Sequence, residues 1–102
     1  MKILFTLLSI ESKNNNYLIS AKELIKEILL QTKHDILLST NSVDFFSDIN
    51  DERIIIRNNI DDTSKFQYNG EFNYNLKYHA FKNIPPQYDY IIYLDCDIKL
   101  EN

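Results

Sequence analysis

Lys2-Ile3-Leu4-Phe5-Thr6-Leu7-Leu8 is the stretch on which the fold turns. It is an apolar run without the alternation of a half-exposed strand, so it reads as a strand buried on both faces, as in parallel sheets. Asn14-Asn15-Asn16 ends it and can cap a helix beginning near Tyr17. In that helix Leu18, Ala21, Leu24, Ile25, Ile28 and Leu29 recur at helical spacing, while Lys22, Glu23, Lys26 and Glu27 take the other face, to about Thr32. Ser20-x-x-Glu23 also fits a capping box, which allows a start one turn later. A strand followed by a helix is the unit from which the rest is built.

Asp35-Ile36-Leu37-Leu38-Ser39-Thr40 is a second short strand, closed by Asn41-Ser42, and Val43 to Ile49 suits a single helical turn. Arg53-Ile54-Ile55-Ile56-Arg57 is a third strand, β-branched through its centre. Asn58 to Gly70 is polar, carries the only glycine, and reads as a surface loop. Phe72 to Lys82 has Phe72, Leu76 and Ala80 on one helical face, and Pro85-Pro86 stops it. Tyr88 to Leu100 then reads as a fourth strand with Ile91, Ile92, Tyr93 and Leu94 as its buried centre. Alternation of this kind predicts an α/β fold: a Rossmann-like parallel sheet of about four strands with helices on both faces.

A length of 102 residues suits one domain, and a hydrophobic fraction of 44% suits a single packed core. The net charge of −4 divides into +1 over residues 1–42 and −5 over residues 43–102. Such an acidic second half repels phosphate backbones and argues against a nucleic-acid partner. It still admits a phosphate locally where a divalent cation neutralises the carboxylates. The single cysteine, Cys96, cannot form an internal disulfide, which fits a reducing, cytoplasmic compartment. No apolar run approaches the ~20 residues of a membrane span. Met1 to Ile10 imitates a signal peptide, but Glu11-Ser12-Lys13 follows without a small-residue cleavage site, and the reading as a first buried strand is preferred. The abundance of Asn, Lys, Ile and Tyr reads as coding bias rather than function.

Tyr90-Ile91-Ile92-Tyr93-Leu94-Asp95-Cys96-Asp97 is the stretch with the most chemistry in it. Unpaired buried carboxylates are costly, so Asp95 and Asp97 belong at the strand's emerging end. In open parallel sheets that end is where ligands bind. Residues two apart on an extended chain point the same way, so the pair can share one ligand. Hard oxygen donors together with a substrate's phosphates are a common environment for Mg²⁺ or Mn²⁺. The plain alternative is that both acids solvate a strand end, and a lone D-x-D does not choose between the two.

Tyr93-Leu94-Asp95-Cys96-Asp97-Ile98 closely resembles the Y-L-D-x-D-[IV] strand end of GT-A glycosyltransferases, which use nucleotide-sugar donors. Phe72-Asn73-Tyr74-Asn75-Leu76-Lys77 is similar to the F-N-Y-x-L-K helix start of some bacterial and viral members, and Met1 to Ser9 looks like their first strand. The resemblance implies that Asp95 and Asp97 hold a divalent metal, Mn²⁺ or Mg²⁺, on the donor's diphosphate, with Asp95 also at the nucleotide-sugar. It further implies that Lys77 contacts the donor. Asn73 lies one helical turn away and can face the same nucleotide. Thr6 and Ser9, at the end of the first strand, are further candidates for bonding the nucleotide, and serve equally well to satisfy loop backbone. GT-A enzymes continue well past the D-x-D, whereas this chain stops at Asn102. The expectation is therefore one nucleotide-sugar-binding domain over residues 1–102 that recognises a donor, with the acceptor half absent.

His34 and His79 read as structural or surface residues, since neither has a partner at metal-ligand spacing. Cys96 reads as a small spacer between the aspartates rather than a nucleophile. Asn41 and Asp44 follow the second strand at the ligand-binding end, with nothing to tie them to a ligand. The absence of a Gly-rich phosphate loop argues against a P-loop or dinucleotide-binding protein. Two readings result. One is the donor-binding part of a metal-dependent glycosyltransferase acting on an acceptor hydroxyl. The other is a non-catalytic remnant that binds nucleotide or a partner chain, or self-associates through an uncovered sheet edge.

Overall fold

The computed structural model describes residues 1–10, 16–58, 67–68, 71–72, 80–81 and 83–95. Strand β1 (Ile3–Ser9) leads to helix α1 (Asn16–Gln31) and strand β2 (Asp35–Thr40). A short 3₁₀ turn (Val43–Phe46) precedes β3 (Ile54–Arg57). Two short strands, β4 (Gln67–Tyr68) and β5 (Glu71–Phe72), form an antiparallel hairpin, and β6 (Tyr90–Tyr93) is the last element among the described residues. The main sheet has four strands in the order β3-β2-β1-β6, all parallel. This is the expected α/β, Rossmann-like arrangement.

Register divides the side chains between the two faces of the sheet. Phe5 lies beside Ile36 and Leu7 beside Leu38, with Ile54 and Ile56 continuing the same rows on β3. These residues pack against Leu18, Ala21, Leu24, Ile25 and Ile28 of α1, with Phe46 of the 3₁₀ turn. Leu7, Ile25, Ile28, Ile36, Leu38 and Phe46 are fully buried, which makes this the main core. Each such side chain contributes about 1.5–3 kcal/mol through loss of apolar surface. Leu4, Leu7, Leu37 and Leu38 lie at 0–1% exposure on the central strands, so the apolar run of residues 2–8 has its cause in burial on both faces.

The helix ends at a cluster of hydrogen bonds. Thr32 donates through both its backbone N–H and its hydroxyl to the Ile28 carbonyl, each at 2.9 Å. Arg53, just before β3, donates to the carbonyls of Thr32 and Leu29 at 2.5 and 2.6 Å, and Asp51 holds its guanidinium at 3.2 Å. These contacts satisfy carbonyls that the last helical turn leaves without partners, with a cation at the favourable end of the helix dipole.

The second face carries Leu4, Thr6, Leu37 and Ser39 and is met by Ala80, Phe81 and Asn83 on the return from β3 to β6. Thr6 donates its hydroxyl to the Ala80 carbonyl at 2.5 Å, and Arg57 donates to the Asn83 carbonyl at 3.1 Å. Phe81 stacks obliquely on Tyr93, 5.7 Å between ring centres. The return ends at the amino edge of the sheet. There the Tyr88 hydroxyl donates to Asp35 at 2.7 Å, and Asp89 accepts from the Lys2 backbone N–H at 2.7 Å.

Three expectations about boundaries change. The run from Phe72 to Lys82 does not begin as a helix: Phe72 pairs with Gln67 in the β4–β5 hairpin, and Ala80 and Phe81 have 3₁₀ conformation. The rest of that expected helix, residues 73–79, lies outside the described residues, so α1 is the one long helix among those described. The expected loop Asn58 to Gly70 contains β4. The fourth strand is shorter than expected and is not a buried centre: Ile91 and Ile92 are 42% and 40% exposed. Among the described residues it is an edge strand, paired with β1 alone.

Candidate functional site

The chain leaves β1 through α1 to β2 and β3, then returns to place β6 on the other side of β1. The order of strands therefore reverses between β1 and β6. In open parallel sheets a crevice forms at the carboxyl ends of the strands at such a reversal, because the connections depart to opposite sides there.

Thr6 lies beside Tyr93 in register, and the Leu94 N–H donates to the Thr6 carbonyl at 3.1 Å. The ladder thus extends one residue past β6, and Asp95 emerges next, exposed at the carboxyl end of the sheet. Leu94 packs on the α1 side of the core. The strand therefore keeps its alternation up to the point where the carboxylate appears. Asp95 stands at the end where a ligand would lie.

Thr6 and Ser9 are both buried, at 0% and 1% exposure. Each hydroxyl donates to a backbone carbonyl: Thr6 to Ala80, and Ser9 to Tyr17 at 3.0 Å. These bonds attach β1 to the returning chain on one face and to the first turn of α1 on the other. At the end of β2, the Thr40 hydroxyl accepts the Ser42 N–H at 3.0 Å, while Asn41 is half-buried and Asp44 exposed. His34 lies at the opposite, amino end of β2, edge-on to Phe5 at 5.7 Å between ring centres, as a structural residue would. Asp97, Asn73, Lys77, Cys96 and His79 lie outside the described residues.

Arg57 was not among the sequence candidates. It ends β3 at the carboxyl side, and its guanidinium reaches Ser39 at 3.2 Å as well as the Asn83 carbonyl. Loss of hydration pulls its pKa below the ordinary arginine value. The signal was present, a basic residue closing an Ile-Ile-Ile run, but it cannot be distinguished in sequence from a solvated strand end. With strands ~4.8 Å apart, β3 lies about 14 Å from β6 across the sheet. The carboxyl edge thus has a cationic end at Arg57 and an anionic end at Asp95.

Among the described residues, no group of three or more His, Cys, Asp or Glu could hold a metal ion. Asp95 on its own fits a hard cation as one carboxylate donor, which is all that sites completed by phosphate oxygens and water require of each protein ligand. Among the described residues no helix is long and apolar enough to cross a membrane. Comparison with protein-family models, curated proteins and solved structures gives no match.

Proposed function

We propose that this chain is the donor-binding part of a metal-dependent glycosyltransferase, holding a nucleotide-sugar across the carboxyl ends of β1 and β6. The observation that carries the reading is the position of Asp95, an exposed carboxylate at the emerging end of the strand next to the reversal of strand order. The resemblance of residues 93–98 to the GT-A strand end supplies the chemistry. Asp95 and Asp97 would hold Mn²⁺ or Mg²⁺, whose part is to neutralise the charge on the departing nucleoside diphosphate. Asn73 and Lys77 would steady the donor, Lys77 as a point charge on a phosphate. In transfer, an acceptor hydroxyl would bond to the anomeric carbon as the bond from that carbon to the diphosphate breaks, its proton leaving to solvent or to an oxygen of the departing diphosphate. Within this reading Thr6 and Ser9 act mainly by fixing the backbone around the crevice, and the setting is cytoplasmic.

The second reading, a non-catalytic chain that binds nucleotide or a protein partner, is favoured by one observation. Tyr90, Ile91 and Ile92 are 40–56% exposed along an edge strand paired only with β1 among the described residues. Such an edge invites a further strand, including one from a second copy.

Thermal melting with Mn²⁺ and a panel of nucleoside diphosphates tests the first reading. A ligand at about 100 times its Kd stabilises by roughly 2.7 kcal/mol, on the order of 10 °C in Tm for a domain of this size. The shift should require both metal and nucleotide and should vanish in Asp95→Asn and in Asp97→Asn. An equal shift in those variants would remove the metal site. Calorimetry on Lys77→Ala should find weaker nucleotide binding, about tenfold, with an unchanged Tm in the absence of ligand. Equal affinity would make Lys77 an ordinary surface residue.

A further inference from the structure

We draw no further inference here: the strongest candidate, the outer edge of β6 with Tyr90, Ile91 and Ile92 exposed along it, belongs to the association surface already proposed, and nothing in the structure shows what covers it.

Discussion

The phenol of Tyr88 shows how one residue records the closure of the sheet. Partial burial and the bond to Asp35 together push its pKa from 10.0 up to about 12. Both causes favour the neutral phenol, the first by withdrawing water and the second by placing a carboxylate against the oxygen that would become charged. The folded state therefore holds this proton more tightly than the unfolded chain does. The stabilisation is fully present below pH 10 and is lost as pH rises through about 12. Urea denaturation between pH 9 and 12 should show a fall in stability that Tyr88→Phe makes shallower. Identical slopes in the two proteins would mean that the Tyr88–Asp35 bond does not survive in solution. Asp51 and Asp48 behave in the opposite sense. Hydrogen bonds from Arg53 and Lys22, respectively, pull their pKa values below the ordinary carboxylate value of 3.8. Their contribution is present above that value and is lost as acid protonates them.

At the scale of elements, the junction between α1 and β3 depends on Arg53. Its planar fork reaches two helix-end carbonyls and Asp51 together, a geometry that the single ammonium of lysine does not reproduce. Arg53→Ala should cost about 1–3 kcal/mol, because carbonyls in a partly buried place lose a charged donor. Arg53→Lys should recover less than half of that. Chemical denaturation checks both, and a loss below ~0.5 kcal/mol in the alanine variant would reduce the contact to a surface ornament. The β4–β5 hairpin teaches a different lesson about elements. Its two strands are joined by Asn69-Gly70, the dipeptide most favoured in two-residue hairpin connections. Two-residue strands carry no hydrophobic period, so in the sequence this signal reads as part of the polar loop Asn58 to Gly70.

For the whole molecule, β3 and β6 are the two edges of the main sheet among the described residues, and Tyr90, Ile91 and Ile92 are exposed along β6. A second copy can add its own β6 to the β6 edge about a two-fold axis, extending the sheet in both directions. Light scattering at rising concentration should then show dimers, and Ile91→Lys or Ile92→Lys should return the protein to monomer with little loss of stability, since both positions are already exposed. A monomer at all concentrations would remove self-association from the proposed function while leaving the donor site untouched. Truncation in the core sets the contrast. Ile25→Ala should cost about 2–5 kcal/mol, because a fully buried side chain leaves a cavity among Leu7, Leu38 and Phe46.

What the sequence determined by itself was local. The apolar run of residues 3–8 reads best as a strand covered on both faces, and the spacing of Leu18, Ala21, Ile25 and Ile28 as a helix with one buried side. Both patterns are written in neighbouring residues, where burial and period coincide. The carboxylate at the end of the last strand was legible for the same reason, since a charge following Ile91-Ile92-Tyr93-Leu94 must mark an exit from the sheet. The order of the strands was a tertiary decision. Every strand of the main sheet is apolar enough to pair with any other, so nothing local states that β6 lies beside β1 rather than outside β3. The path of the returning chain accompanies that choice, through Thr6 at Ala80, Arg57 at Asn83 and Tyr88 at Asp35, contacts between residues 26 to 74 positions apart. With β6 at the edge, Ile91 and Ile92 become surface rather than core, an outcome their own composition does not contain. Hydrophobicity specifies that a segment seeks cover, and only the assembled sheet decides how much cover each position receives.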